Sequence, residues 1–64
     1  MRCRPIEPYK VLICELYRGA SIPVHPAEPW NVDDKTECLV YLERFGVQIR
    51  LPISEFNRRW KVID

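Results

Sequence analysis

The clearest pattern of apolar and polar positions lies in the last third of the chain. Val47-Gln48-Ile49-Arg50-Leu51 alternates strictly, the period of a half-buried strand with Val47, Ile49 and Leu51 on its inner face. Just upstream, Cys38-Leu39-Val40-Tyr41-Leu42 is a short apolar run, and Glu43-Arg44-Phe45-Gly46 separates the two. Gly46 can adopt the positive φ that a tight connection requires, so the segment predicts an antiparallel hairpin. Pro52 has no N–H to give to a ladder and should end the second strand or sit at an edge. Ser54 is a suitable N-cap for a helical turn that sets Phe56 and Trp60, four residues apart, on one side. Trp60-Lys61-Val62-Ile63 then predicts a short closing strand.

The first apolar run, Val11-Leu12-Ile13-Cys14-Glu15-Leu16-Tyr17, fits two periods. As a strand it turns Leu12, Cys14 and Leu16 to one face and Val11, Ile13, Glu15 and Tyr17 to the other. As a helix opened by Glu7 and Pro8 it carries a stripe of Leu12, Leu16 and Tyr9, with Gly19 just past its end. The strand reading is preferred for residues 9–18, because the run is short and flanked by Pro and Gly. Residues 20–36 show little periodicity and read as a proline-rich connector, with Asn31-Val32-Asp33-Asp34 resembling a turn. An isolated hairpin is unstable, so roughly three to five short strands and one helical turn are best satisfied by a strongly bent small barrel.

With 64 residues, there is room for one domain, spanning 1–64. A chain of this size buries about 60% of its unfolded surface, and its single core should supply only ~3–5 kcal/mol. Nothing approaches the roughly 18 apolar residues of a membrane span. Met1-Arg2-Cys3-Arg4-Pro5 is followed by Glu7 and Pro8 rather than an apolar run, which predicts no secretory leader. Three cysteines cannot form a closed disulfide set and point to a reducing cytoplasm.

Enzymatic chemistry finds little support. Cys3, Cys14, His25 and Cys38 could form a Cys₃His zinc set, but their wide spacing lacks the tight knuckle of structural zinc sites. The expectation is two buried cysteines, a terminal free thiol, no metal and no cofactor. His25, the one available base, stands between prolines and is expected to be solvated. Two glycines cannot build a phosphate cradle, and Asp33, Asp34 and Glu37 read as a solvated acidic turn. No catalytic residue is assigned.

Pro23, Pro26 and Pro29 recur with the three-residue period of a polyproline II helix, either a ligand strip for an aromatic groove or a stiff connector. The connector reading is favoured, with Trp30 covering the open end of the barrel. Net charge is only +1. Its distribution is uneven: residues 1–18 carry four basic and two acidic groups, residues 19–43 one and five, and residues 44–64 five and two. Arg44, Arg50, Arg58, Arg59 and Lys61 are interleaved with Phe45, Phe56 and Trp60. Arginine with aromatics suits a protein hot spot or a phosphate backbone. A protein partner is favoured, met through Trp30, Arg50, Phe56, Arg58, Arg59 and Trp60. The rival is a nucleic acid bound along the arginine edge.

From Leu39 onward, Leu39-Val40-Tyr41-Leu42, the turn with Gly46, Val47-Gln48-Ile49-Arg50-Leu51-Pro52, Ile53-Ser54-Glu55-Phe56 and Trp60 together resemble the ending of small Src-homology-3-like barrels. Short proteins of phages and other mobile elements are similar to this. The resemblance implies a mainly β, partly open barrel with one short helical turn before the last strand. It also implies an interaction module acting as an accessory or host-modulating factor. No binding residue transfers from it, and the proline strip replaces the family's polar, glycine-rich first hairpin.

Overall fold

The computed structural model describes residues 1–12 and 21–64. Its elements are β1 (Arg2–Pro5), β2 (Tyr9–Leu12), β3 (Ser21–Val24), β4 (Trp30–Lys35), β5 (Leu39–Arg44), β6 (Val47–Pro52), α1 (Ile53–Arg59) and β7 (Trp60–Val62). The fold is mainly β, with more strands than the sequence pattern predicts. Five strands form an antiparallel sheet in the order β6-β5-β4-β1-β7, and β2 pairs with β3 in a separate ribbon. Among the described residues the sheets do not close into a barrel; β6 and β7 remain the two edges of the larger sheet.

The hairpin forms as the alternation predicts, though its strands run further. β5 continues through Glu43 and Arg44, leaving Phe45-Gly46 as a two-residue loop between the paired Arg44 and Val47. Both loop residues have positive φ (50° and 80°), the requirement of a type I′ turn, whose twist matches that of the flanking strands. Val40, Leu42, Ile49 and Leu51 are all but sealed from solvent. Val47, in phase with Ile49 and Leu51, is the exception, at 40% exposed. It lies at the loop end of an edge strand, beyond the layer that covers its two neighbours.

Pro52 closes β6 and is itself the N-cap of α1 (φ −58°, ψ 143°); Ser54, expected to cap, lies inside the first turn and makes no capping bond. The first helical N–H, that of Ile53, is satisfied from outside the helix, donating to the Cys38 carbonyl at 2.8 Å. Trp60 is not helical either. It leaves α1 in extended backbone, its N–H still bonded to the Phe56 carbonyl, and begins β7 as the expected closing strand. Cys3, Arg4 and Pro5 of β1 pair with Val62, Lys61 and Trp60, so the two ends of the chain are neighbours. Arg2 and Asp64 seal that juncture with a 2.9 Å ion pair. The guanidinium holds the Asp64 carboxyl below its ordinary range.

The segment read as a proline-rich connector holds two strands. Pro23 sits in β3 opposite Lys10, Pro26 in the following turn and Pro29 just before β4, so the three rings do not form one polyproline strip. Asn31-Val32-Asp33-Asp34 is strand, not turn: β4 pairs with β5 through a bulge between Val32 and Asp34. The extra residue, Asp33, accepts a hydrogen bond from the Gln48 amide at 3.0 Å. Acidic side chains thus sit on the solvated face of a strand whose core side is Trp30 and Val32. Of the first apolar run, Tyr9–Leu12 is strand, with Val11 buried and Leu12 66% exposed. The rest of that run, with Cys14, lies outside the described residues.

Candidate functional site

The three aromatic residues expected at a partner surface are core residues. Trp30, Phe56 and Trp60 are 3%, 5% and 4% exposed. Phe56 stacks on Trp60 at 6.5 Å between centroids, and Tyr9 meets Trp60 edge-on, also at 6.5 Å. The Trp60 indole N–H donates to the Tyr9 hydroxyl at 2.6 Å, and that hydroxyl donates to Glu55 Oε2 at 2.8 Å. The Arg59 guanidinium lies 3.9 Å above the Tyr9 ring. Burial pushes the Tyr9 hydroxyl up to about 12, opposed by the indole's hydrogen bond. This network is a joint: it ties the β2–β3 ribbon to α1 and β7. Tyr9, which the sequence pattern names only in the stripe of the helical alternative, is its centre.

The basic residues do not share one edge. Arg50 lies exposed on β6 opposite Tyr41, whereas Lys61 lies on β7 at the far side of the sheet. Arg59 is half-buried against Tyr9, with Glu7 at 3.9 Å. Arg44 donates to the Pro29 carbonyl at 2.7 Å and lies 3.9 Å from Glu28. Arg58 is exposed on α1, beside a cleft of about 290 Å³ that it lines with Ile6, Glu7 and Arg59. Lys61 faces Arg4 directly across β1 and β7, both exposed.

What the structure does assemble is the tip of the β5–β6 hairpin. Phe45 is 87% exposed, the most exposed of the large apolar side chains among the described residues. Its left-handed backbone is a position that Asn, Asp or Gly occupies far more cheaply than a bulky ring. Arg44 fixes the ring: its guanidinium lies 4.6 Å from the Phe45 centroid while tied to Pro29 on its other side. Beside the ring opens a cleft of about 170 Å³ lined by Ile22, Pro23, Glu28, Trp30, Arg44, Phe45 and Val47. An apolar knob and an adjoining hollow therefore form one surface, built from β3, the β3–β4 loop and the hairpin. The sequence does carry a signal for it: an aromatic residue immediately before the turn glycine, where local preference favours a small polar one.

The cysteines reverse the expectation. Cys3, read as a terminal free thiol, is fully buried, and Cys38, read as buried, is exposed. β1 carries Cys3 into the centre of the sheet opposite Trp30, while Cys38 falls in the β4–β5 connection. Burial raises the Cys3 thiol to about 12, so it is protonated at neutral pH. His25 is exposed as expected, and its Nδ1 accepts the Ala27 N–H at 3.0 Å. Among the described residues no His, Cys, Asp and Glu group is arranged to hold a metal ion, and no helix is long and apolar enough to cross a membrane. Comparison with family models, with curated proteins and with solved structures finds no match to this chain.

Proposed function

We propose that this chain is a non-enzymatic protein-interaction module that engages its partner through the tip of the β5–β6 hairpin. The observation that carries the reading is Phe45, an apolar ring kept in solvent, in a backbone conformation that opposes it, by an arginine anchored elsewhere. A ring in that position costs stability twice, in strain and in exposed apolar surface, and the contact with Arg44 returns only part of it. Binding would return the rest. The pairing of β1 with β7, and the helix immediately before β7, support the Src-homology-3-like reading. The resemblance from Leu39 onward supplies the wider setting: an accessory or host-modulating factor of a phage or other mobile element. A reducing cytoplasm suits its free thiols.

Phe45→Asn separates binding from stability. Asparagine relieves the left-handed strain, worth on the order of 1 kcal/mol after loss of the contact with Arg44. The melting temperature should rise by about 4–8 °C. Affinity capture from the host with this variant should lose the partner retained by the natural sequence. If the variant melts lower and still captures the same protein, the tip is structural and the reading falls.

The nucleic-acid alternative keeps one specific observation in its favour. Arg4 and Lys61 are like charges placed opposite each other, an arrangement that destabilises a sheet unless an anion lies over it. On this reading, affinity for single-stranded or duplex DNA falls steeply with salt. Lys61→Ala would then flatten the log–log slope by about 1. Salt-independent or undetectable binding in titrations at low ionic strength removes it.

A further inference from the structure

The partner fitted by the hairpin tip is, we propose, a second copy of this chain, related to the first by a two-fold axis through the Phe45 cleft. The inference rests on the protein-binding reading above and identifies the partner. An isologous interface needs a patch complementary to itself, with projection and recess side by side, so that each copy fills the other. The tip meets that requirement. Phe45 projects, and the cleft it borders measures about 170 Å³. A cavity of roughly 150 Å³ accepts a benzene ring, so the recess is the right size for the phenyl group beside it.

Charge on the rim points the same way. The cleft carries one cation and one anion, Arg44 and Glu28, 3.9 Å apart. Glu28 has half its side chain in solvent. Across a two-fold axis, Glu28 of each copy can meet Arg44 of the other, so the patch is electrostatically compatible with itself. The β1–β7 edge, where Arg4 faces Lys61, would repel its own image. Val47 supplies the third observation. Its phase along β6 turns it toward the core side, yet the single chain leaves it 40% exposed on the wall of this cleft. A phenyl ring entering the cleft would cover it and lie over Trp30 on the floor.

The patch is small. Stable interfaces bury about 800 Å² per partner, and the whole chain exposes 4548 Å². A handful of tip residues falls below that share, so the dimer should be weak and reversible, forming at high micromolar to millimolar concentration.

A dilution series of ¹⁵N-labelled protein, read by two-dimensional NMR beside sedimentation equilibrium, tests this directly. The expected result is concentration-dependent shifts confined to Ile22, Glu28 and residues 44–47, with a mass rising toward twice that of the monomer. Phe45→Asn, which should fold at least as well as the natural chain, should weaken self-association at least about tenfold, the loss of an anchoring ring. Glu28→Lys, an exposed change that sets cations against cations, should weaken it as well. A monomer with unchanging spectra at every concentration overturns the second-copy proposal. If capture from the host nevertheless depends on Phe45, the protein-binding reading survives with a different partner. Shifts centred on Arg4 and Lys61, or a dimer indifferent to Phe45→Asn, overturn the proposed surface.

Discussion

Trp60→Ala is expected to leave the protein largely unfolded at 25 °C. Removing a buried tryptophan from a core costs about 3–5 kcal/mol, and the whole stability of a single-core chain of this size is of the same order. Trp60 is also more than volume. Its ring stacks on Phe56 and its N–H reaches the Tyr9 hydroxyl, so the substitution loosens the joint that holds the β2–β3 ribbon against α1 and β7. It also breaks packing at the start of β7, the strand that brings the chain's ends together. Near-ultraviolet circular dichroism and amide dispersion in NMR spectra should both collapse, whether or not a partner is added. A folded Trp60→Ala protein that had merely lost a partner would instead make Trp60 a surface contact and refute its place in the core.

Alkaline pH should unfold the protein well before strong base. The Cys3 thiol, ordinarily ionising at 9.0, is raised to about 12 in the fold because β1 buries it beside Trp30. The folded state therefore holds a proton that the unfolded chain gives up. The corresponding stability is whole below pH 9.0 and drains away as pH climbs to about 12, at about 1.4 kcal/mol for each pH unit. Tyr9, raised from 10.0 to about 12, works in the same direction over the upper part of that range. Against a total of ~3–5 kcal/mol, the unfolding midpoint at 25 °C should lie near pH 11. Urea titrations at successive pH values measure this. Cys3→Ala should delay the decline until Tyr9 begins to titrate; an unchanged profile in that variant would show that the thiol is not sealed. Asp64 acts at the acid end with the opposite sign. Its carboxyl is lowered by Arg2, so the contribution is present above the ordinary carboxylate range and is lost as pH falls through the lowered value. Both partners are exposed, and the effect is small.

These outcomes bear on how the aromatic residues were read. Phe56 and Trp60 beside Arg58 and Arg59 look alike in sequence whether they form a hot spot or a core, since both uses favour aromatics near arginine. Burial separates them. Here the rings turn inward and Arg59 spreads over Tyr9, leaving Arg58 in solvent. Phe45 shows the converse. It belongs to the same aromatic set, but the two-residue turn throws it outward, and a turn's geometry depends on where pairing stops. Because Arg44 pairs with Val47, Phe45 occupies the loop; two residues less of ladder would have left it within a longer, looser connection.

Local pattern was enough to define the β5–β6 hairpin, the positive φ at Gly46, the stop at Pro52 and the closing strand at Trp60. The first three depend on bonds or side-chain phases within a few residues; the closing strand is legible as a β-rich segment, though its partner, β1, lies at the other end of the chain. The residues that face the core along β6 were likewise legible for Ile49 and Leu51, because alternation has a fixed period. Only the tertiary structure decided that Val47 is left uncovered, that Cys3 rather than Cys38 is sealed, and that Asn31-Val32-Asp33-Asp34 extends instead of turning. Those outcomes depend on which strands lie beside one another. Cys3 is buried because β1 lies between β4 and β7, partners that begin 28 and 58 residues after β1 does. Pairing over such separations leaves no period in a short window of sequence, and so the burial of Cys3 could not be read from the residues around it, whereas the tip's aromatic beside the turn glycine could be seen but not its place at the mouth of a cleft.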